Sequence, residues 1–396
     1  MLIRWPSGTT VIGLQGQPSL AKGLGIIRID LQQCGVACRL LRMSFRPTRA
    51  WALPLVLAGL LAGCAQDGGN GVQSAKLSMI QGRGKLVCGV DGKLPGFSFV
   101  GPDGSYSGLD VDVCKAMAAA IFGDANKLEF RDLNSSERFA ALASGEVDLL
   151  SRNTTMTLSR DAPGGNALSF APTTFYDGQG MMVPAASGIT TLKALAGKPI
   201  CVESGTTTEL NLADRMREIG IAYTPLKFQT GDQTYAAYLG GRCIAVTSDR
   251  SQLAAKRSSF PDPGAHTLLN DVMSKEPLTP ATTNADPAWA DAVRWTVNTL
   301  IQAEELGITK ANIANKLAVA SANKNQADLR RFLGVEGDFG KQLGLPSDFV
   351  VKIISAVGNY GEIFDRNVGP ASKLKLDRGI NKQWNKGGLM YSPPFR

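Results

Sequence analysis

Apolar and polar positions along residues 84–151 predict three short strands separated by two helices. The strand segments are GKLVCGV (84–90), KLEFRDL (127–133) and EVDLLS (146–151). Of the two helices, LDVDVCKAMAAAIFG is apolar on one face and stopped by Gly123, and NSSERFAALASG begins with Asn134 and Glu137 at the spacing of a capping box. Strands alternating with helices at this spacing predict a parallel sheet covered by helices.

A similar order of elements begins again after the segment GMMVPAASG (180–188). Its strand segments are KPICVES (198–204), AYTPLKF (222–228) and CIAVTSD (243–249), and the helical segments TTTELNLADRMREIG and GDQTYAAYLGG lie between them. Beyond about Thr282 the periodicity is mostly helical. The chain therefore predicts an α/β fold of two lobes with a helical C-terminal extension.

Three polar clusters follow predicted strands directly. They are SRNTTMTLSR (151–160), SGTTTE (204–209) and TSDR (247–250). Open α/β sheets bind ligands beyond the carboxyl ends of their strands, and these clusters combine hydroxyls, a guanidinium and a carboxylate. That set suits a small zwitterion, with Arg160 for a carboxylate, Asp249 for an ammonium, and Thr155, Thr206 and Thr207 completing the two shells.

Each of these residues also has a purely structural interpretation. Thr206 and Thr208 are suited to capping a helix, Asp249 is suited to the same role, and Arg160 has Asp161 beside it as a surface partner. The joint placement of the three clusters at strand ends favours ligand binding over these separate explanations.

The segment MSFRPTRAWALPLVLAGLLAGCAQ has the charged, apolar and small-residue order of a secretory signal. Its apolar run, Trp51 to Leu61, is too short to span a bilayer. The residues LAGC that end at Cys64 resemble the lipobox of bacterial lipoproteins, which implies cleavage and lipidation at Cys64. Residues 43–63 are thus predicted to be a signal peptide, and residues 64–79 a flexible tether.

Residues 1–42 precede this signal and fit no part of it. A secretory signal begins close to its charged region, so Met43 is the better start and residues 1–42 are interpreted as a mis-assigned upstream extension. The alternative is a real extension of unknown purpose.

Charge along the chain excludes one class of function. The formal net charge is +8, but residues 1–63 hold seven basic residues and one acidic residue, which leaves 35 basic against 33 acidic residues in the remainder. The folded part therefore lacks the basic surface that nucleic acids require.

Export makes the remaining cysteines informative, because disulfides form outside the cytoplasm. The body contains Cys88, Cys114, Cys201 and Cys243, which allow three pairings. If the early and late cysteines belong to different lobes, Cys88–Cys114 with Cys201–Cys243 is the natural choice. Free buried thiols and a metal site are the alternatives, although the body has no CxxC spacing and a single histidine.

The segment GLDVDVCKAMAAAI (108–121) resembles the signature of bacterial solute-binding protein family 3, the extracytoplasmic receptors of ABC importers for polar amino acids. The segments SGEVDLLSRNTT, SGTTTELNLAD and GNYGEIFDRNVG resemble its general L-amino-acid branch. The resemblance implies the type II periplasmic binding fold, in which two crossover strands, here near residues 180–184 and 274–282, join the lobes. Lobe one then comprises residues 80–182 and 283–396, and lobe two comprises residues 183–282.

The resemblance also implies roles for single residues. Arg160 is similar to the arginine that binds the ligand α-carboxylate, Thr155 to the hydroxyl residue five places before it, and Asp249 to the ammonium-binding aspartate. The backbone of Asn153 is expected at the ammonium, and Thr206 and Thr207 match the hydroxyl pair of the second lobe.

Two departures from the family bear on the ligand. Leu94 stands where many relatives stack an aromatic ring on the ligand, and Ser135 replaces an apolar residue of several basic-amino-acid receptors. Ser135 and Arg138 resemble instead the Ser-x-x-Arg pair that meets a side-chain carboxylate in glutamate/aspartate receptors. We therefore expect acidic and amide amino acids first and broad L-amino-acid binding next, although a solvated position on its helix is an alternative for Arg138.

The resulting prediction is a lipid-anchored, monomeric, extracytoplasmic receptor without cofactor or metal, which closes on an L-amino acid and delivers it to an ABC permease. An enzyme on the same fold is the main alternative, with His266 or Glu203 as the available acid–base groups. A receptor for a membrane sensor and a purely structural lipoprotein are further alternatives.

Overall fold

Two five-stranded sheets organise residues 74–396, the part of the chain that the structure, a computed structural model, describes. The predicted extension 1–42, the signal peptide, Cys64 and most of the predicted tether lie outside the described residues. Residues 75–79, expected to belong to the tether, are helical, and the side chain of Ser74 caps that helix and donates to Asp286 at 2.9 Å.

The strands of the described residues are short, and most of them end at a polar residue or a turn. They are β1 (Leu86–Val90), β2 (Lys93–Leu94), β3 (Ser98–Val100), β4 (Tyr106–Ser107), β5 (Leu128–Asp132), β6 (Leu149–Leu150), β7 (Leu168–Phe170), β8 (Phe175–Asp177), β9 (Gln179–Pro184), β10 (Pro199–Glu203), β11 (Thr224–Phe228), β12 (Ala245–Asp249), β13 (His266–Leu268), β14 (Glu276–Leu278) and β15 (Ala281–Thr283).

The helices become the dominant element after the last strand. They are α1 (Ala75–Arg83), α2 (Leu109–Phe122), α3 (Arg138–Ser144), α4 (Leu158–Asp161), α5 (Thr207–Glu218), α6 (Gly231–Leu239), α7 (Arg250–Arg257), α8 (Pro287–Glu305), α9 (Ile313–Ala322), α10 (Ala327–Phe332), α11 (Phe339–Gln342), α12 (Phe349–Val357) and α13 (Tyr360–Asn367). Among these described helices, none is long and apolar enough to cross a membrane.

The two sheets have the same strand arrangement. The first has the order β5-β1-β6-β15-β7 and the second has the order β11-β10-β12-β9-β13. In each sheet the first three strands run parallel, the fourth is antiparallel to the third, and the fifth is antiparallel to the fourth. We call the first sheet with its helices the first lobe, and the second sheet with α5, α6 and α7 the second lobe.

The chain passes between the lobes twice, through β8 and β14. These strands pair antiparallel with each other, with Glu276 opposite Asp177, outside both large sheets. β9 then enters the second sheet and β15 returns to the first, so each sheet contains a strand that follows a crossing. The second sheet begins at Gln179 and the first sheet resumes at Ala281, a few residues from the boundaries expected at 182 and 282.

Each lobe has its own apolar core and one disulfide. Cys88 in β1 pairs with Cys114 in α2. Cys201 in β10 pairs with Cys243, which lies two residues before β12. Both cross-links therefore lie within a lobe. Closing loops of this length stabilises a fold by about 3–4 kcal/mol each in the chain-entropy model.

The C-terminal helices complete the core of the first lobe. α12 packs on α2, and the buried ring of Phe364 in α13 stacks on Phe175 at the first crossing, with 6.0 Å between the ring centroids. Burying a phenylalanine side chain contributes about 1.5–3 kcal/mol. Gly358, in the left-handed region at φ 77°, and the capping box of Asn359 with Glu362 separate α12 from α13.

Candidate functional site

A small cavity lies between the lobes, at the ends of β6, β10 and β12, as the polar clusters predict. We call it the inner cavity, and its volume is about 20 Å³. Seven of the predicted binding residues line it: Ser135, Arg138, Asn153, Thr155, Thr206, Thr207 and Asp249. Such a volume holds about one water, so the two lobes are closed on each other.

Five further residues line the same cavity without having been predicted as binding residues. They are Arg152, Glu203, Thr208, Ser248 and Gln252. All but Gln252 belong to the three polar clusters or stand next to one, so the signal was present in the sequence. Gln252 lies one turn into α7, and its Oε1 accepts a hydrogen bond of 3.4 Å from Asn153 Nδ2 across the cleft.

Two predicted site residues do not line the inner cavity. Leu94 is 1% exposed and packs in the core of the first lobe, because β2 turns its side chain inward. Arg160 lies behind the cavity wall, in the single turn of α4, where its Nη1 donates to the carbonyl of Thr155 at 2.7 Å. The expected contact of Arg160 with a ligand therefore requires its other nitrogens.

Arg138 and Arg160 are buried guanidiniums that form no ion pair with any carboxylate of residues 74–396. Both lie over the ring of Phe139, at 4.8 and 5.1 Å from its centroid. Burial is the largest cause that lowers the pKa of Arg138 well below its usual value and that of Arg160 to about 10. Neighbouring arginines also lower these pKa values, whereas nearby carboxylates, Asp249 among them, act in the opposite direction. Both positive charges thus have carboxylates in the neighbourhood but no direct ion-pair partner among the described residues.

Arg152 differs from these two arginines because its charge has a partner. Its Nη2 lies 2.6 Å from Asp91 Oδ2, and its Nε donates to the carbonyl of Leu133 at 2.9 Å. The ion pair holds the guanidinium against one wall of the cavity. Arg152 therefore belongs to the site, but the part of its guanidinium that binds Asp91 is not available to a ligand carboxylate.

Asp249 is the acidic counterpart of the unpaired arginines. It begins α7, but its side chain makes no capping hydrogen bond, so the structural role considered for it is not observed. Burial, followed by the nearby charges of Asp177 and Glu276, raises the pKa of Asp249 well above its ordinary value. A ligand ammonium at this position would stabilise its charged form.

Asn153 holds an unusual backbone conformation beside the cavity. Its φ is 33°, in the left-handed region that asparagine tolerates better than most residues, and its N–H donates to Asp110 Oδ2 at 2.9 Å. This bond anchors the turn after β6 to the start of α2. The turn therefore presents Asn153 and Thr155 to the cleft from a fixed position.

The predicted threonines make different hydrogen bonds. Thr206 caps α5 by accepting from the N–H of Glu209 at 3.1 Å, and its hydroxyl donates to the carbonyl of Glu203 at 2.7 Å. Thr155 and Thr207 instead both donate to Glu276, at 2.6 and 2.8 Å. The capping role considered for Thr206 is thus observed, at the rim of the inner cavity.

A larger space, which we call the outer chamber, adjoins the inner cavity and measures about 180 Å³. The two share Arg152, Glu203 and Gln252 in their walls. The rest of the chamber wall comes from both lobes: Asp91, Lys93, Asp132, Leu133, Asn134, Glu137, Thr230, Gly231, Asp232 and Lys256. Lys93 and Asp232 form an ion pair of 2.9 Å across the cleft at this chamber.

The acid–base groups considered for catalysis lie in different surroundings. His266 packs against Phe260 and contacts the hydroxyl of Tyr238 at 2.8 Å, and it lines neither the inner cavity nor the outer chamber. Glu203 faces both spaces, and its Oε1 is buried without a hydrogen-bond partner among the described residues. Within residues 74–396, no three His, Cys, Asp or Glu side chains meet as a metal site would need.

The chain is similar to known proteins that bind solutes outside the cytoplasm. The model of the family described as bacterial extracellular solute-binding proteins, family 3, matches residues 86–316. The General L-amino acid-binding periplasmic protein AapJ of Rhizobium johnstonii is 44% identical over 344 residues, which cover 86% of this chain and 99% of that protein. The Glutamate/glutamine/aspartate/asparagine-binding protein BztA of Rhodobacter capsulatus is also 44% identical, over 86% of this chain and 97% of its own length.

A solved structure extends the likeness to three dimensions. It is an ABC transporter / periplasmic binding protein from Brucella ovis with glutathione bound, 48% identical, with a TM-score of 0.77. The match covers 82% of this chain and 100% of that one.

Proposed function

Because the chain belongs to the bacterial extracellular solute-binding proteins of family 3, we propose that it captures L-amino acids outside the cytoplasm and delivers them to the membrane subunits of an ABC importer. The type II periplasmic binding fold expected from the sequence is confirmed, and the protein is a binding protein rather than an enzyme. Two relatives, one named for general L-amino acids and one for glutamate, glutamine, aspartate and asparagine, support the ligand class.

The observation that carries the proposal is a set of buried charges around the inner cavity that form no direct ion pair among the described residues. Arg138 and Arg160 are buried without a carboxylate partner, and Asp249 is buried without a cationic one among the described residues. A buried charge is costly until it is paired. A ligand with two carboxylates and one ammonium would pair all three, so glutamate and aspartate are the favoured ligands, followed by their amides.

The closed inner cavity supports a mechanism by lobe movement. An amino acid does not fit into about 20 Å³, so the lobes must separate at β8 and β14 to admit it. Each lobe then carries half of the binding groups, and the ligand gains the full set only when the lobes close around it. The closed, ligand-filled form is the one we expect the importer to recognise.

The outer chamber favours a second candidate ligand. Its volume of about 180 Å³ exceeds what the side chain of glutamate needs, and Glu203 offers it a buried carboxylate oxygen without a partner. An N–H group on an extended ligand would satisfy that oxygen. Since a relative with 48% identity was solved with glutathione bound, we include glutathione as the second candidate, with its γ-glutamyl group in the inner cavity and the remainder in the outer chamber.

The anchoring and assembly of the protein are also part of the proposal. We propose a lipid anchor at Cys64 after cleavage of the signal peptide 43–63, and a monomeric receptor with lobes near residues 80–182 with 283–396 and 183–282. The motif at Cys64 and the order of the two sheets support these points. Delivery to an importer is favoured over a signalling role because the relatives are binding proteins of ABC transporters.

Thermal unfolding of the protein with each of the twenty L-amino acids and with glutathione tests the proposal. Glutamate, aspartate or their amides are expected to raise the midpoint, and the rise should grow with ligand concentration as mass action requires. Glutarate, which has two carboxylates and no ammonium, should raise the midpoint less than glutamate at the same concentration. If none of the amino acids changes the midpoint, the proposed amino-acid binding is wrong.

A further inference from the structure

Glu276, in the second crossing strand, lies directly behind the inner cavity. Its side chain is 1% exposed, and it stands opposite Asp177 in the pair of crossing strands. The carboxylate does not itself line the inner cavity. Because it sits where the chain passes between the lobes, it is within reach of both.

The carboxylate of Glu276 accepts hydrogen bonds from both lobes and from its own strand region. Oε2 accepts from Thr155 at 2.6 Å and from Thr207 at 2.8 Å. Oε1 accepts from Asn211 Nδ2 at 2.8 Å and from the hydroxyl of Ser274 at 2.5 Å. Thr155 belongs to the first lobe and Thr207 to the second, so one buried group links the two halves of the site.

These bonds decide what the two threonines can offer a ligand. A hydroxyl has one proton to donate and lone pairs that accept. Since the protons of Thr155 and Thr207 are donated to Glu276, only their lone pairs remain for the inner cavity, which both residues line. Lone pairs attract an ammonium and repel a carboxylate.

We propose that Glu276 selects ligands that carry an ammonium group, by holding Thr155 and Thr207 as hydrogen-bond acceptors toward the inner cavity. The inference rests on the proposed function and deepens it, since it explains how a site with two free arginines would reject simple dicarboxylic acids. Glu276 is thus a positioning residue that acts through the threonines. Asp249 supplies the charge for the ammonium, and the hydroxyls supply its neutral acceptors.

Glu276→Gln reverses this polarity in a defined way. In its present orientation Asn211 donates through Nδ2, so the introduced amide keeps this bond when its oxygen faces Asn211, and its NH₂ then faces the threonines. The threonine oxygens would then accept from that NH₂ group, and their protons would turn toward the cavity. The substitution preserves size and shape, which limits its effect on packing.

The test measures calorimetric dissociation constants for L-glutamate and for glutarate, which lacks the ammonium. For Glu276→Gln we expect the affinity for glutamate to fall at least tenfold while that for glutarate is unchanged or rises, so that their ratio falls at least tenfold. Glu218→Gln, an exposed substitution in α5, is the matched control and should leave both affinities unchanged. Equal losses for both ligands would mean a merely structural role and would overturn the inference.

Thr207→Val separates the effect of the hydroxyl from the loss of negative charge. It removes one acceptor but keeps Glu276, and we expect a severalfold loss for glutamate with no loss for glutarate. In the double variant Glu276→Gln/Thr207→Val, the two effects on the ratio of glutamate affinity to glutarate affinity should not add, because Glu276 acts through the Thr207 hydroxyl. Additive effects would overturn the inference, whereas a wild-type protein that fails to bind glutamate at all would overturn the proposed function and this inference together.

Discussion

Tyr176 and Asn381 are joined by two hydrogen bonds between the first crossing strand and the C-terminal segment. The N–H of Tyr176 donates to Asn381 Oδ1 at 2.7 Å, and the carbonyl of Tyr176 accepts from Asn381 Nδ2 at 3.0 Å. Arg378, three residues earlier, holds the same segment to α8 through both oxygens of Glu304, each at 3.1 Å. The C-terminal segment is therefore fastened to the region where the lobes hinge.

Asn381→Ala is expected to destabilise the protein by about 2–3 kcal/mol, because both polar groups of the Tyr176 backbone lose their partner in a partly buried place. Urea unfolding gives the change, and limited proteolysis should cut the C-terminal segment faster than in the wild type. Asn325→Ala, at an exposed position, is the control and should stay within about 0.5 kcal/mol. A loss for Asn381→Ala no larger than that of the control would contradict the prediction.

Arg160→Gln and Arg138→Gln should have different effects on ligand choice. If Arg160 binds the α-carboxylate, its loss lowers the affinity for glutamate and glutamine alike, by about 10- to 150-fold, since a hydrogen bond to a charged group contributes about 1.5–3 kcal/mol. If Arg138 meets the side-chain carboxylate, its loss weakens glutamate far more than glutamine. Isothermal titration measures both, with the exposed Arg294→Gln as control. A uniform loss in both variants would remove the side-chain role of Arg138.

Gly231→Leu tests the outer chamber separately from the inner cavity. Gly231 lines only the chamber, and a Cβ added there meets a single atom within 4 Å, Glu203 Oε2 at 3.3 Å. This contact is tight, so the flexible side chain of Glu203 has to move by a few tenths of an ångström, and the leucine side chain then fills the chamber. We expect glutathione binding to fall at least tenfold and glutamate binding to stay within about twofold.

The matched control for this variant is Gly82→Leu in α1, where an added Cβ meets no atom within 4 Å. It should leave both ligands unaffected. Parallel losses for glutamate and glutathione in Gly231→Leu would show that the two ligands do not differ in their use of the chamber.

Asp110 predicts a pH dependence of stability. Burial raises its pKa to about 6, although the N–H of Asn153 and the charge of Arg152 favour its ionised form. The folded state therefore takes up a proton more readily than the unfolded state, whose pKa is near 3.8. This group stabilises the fold fully below about pH 4, and that contribution is lost as the pH rises through 6.

Asp110→Asn removes this dependence, because an amide does not titrate. Between pH 4 and pH 7 the wild type should lose up to about 3 kcal/mol that the variant keeps, since one pKa unit corresponds to about 1.4 kcal/mol. Urea unfolding at several pH values checks this, with the exposed Asp214→Asn as control. Asp177, whose pKa burial also raises to about 6, contributes with the same sign in all three proteins. Parallel pH curves for wild type and Asp110→Asn would contradict the prediction.

Much of the local structure follows from neighbouring residues. The helix predicted from Leu109 ends at Phe122, before Gly123 at φ 71°, and Asn134 and Glu137 form both bonds of the predicted capping box, one turn before α3 begins. Such features depend on contacts within four residues, which a sequence pattern displays directly. Beyond Thr282 the sequence predicts mostly helix without giving the boundaries, and the structure divides this part into α8 to α13, with a break between α12 and α13 at Gly358.

The sequence predicted those residues of the candidate site that directly follow a predicted strand. The clusters containing Thr206 and Asp249 meet because the parallel strands β10 and β12 bring their carboxyl ends to the same edge of the second sheet. Asn153 comes from the first sheet, and it meets them only because the two lobes face each other. Leu94 was expected beside them, but the direction in which a two-residue strand turns its side chain depends on its neighbours, and here it enters the core.

By itself the sequence determined the three parallel strands of each lobe, the helices between them, and the polar residues at the strand ends, because each depends on residues close together in the chain. Only the tertiary structure decided which charges are paired and which are left for a ligand. Arg152 lies 61 residues from its partner Asp91, and Thr155 lies 121 residues from Glu276. Pairings at that distance are set by how the sheets and crossing strands pack, and no local pattern encodes them.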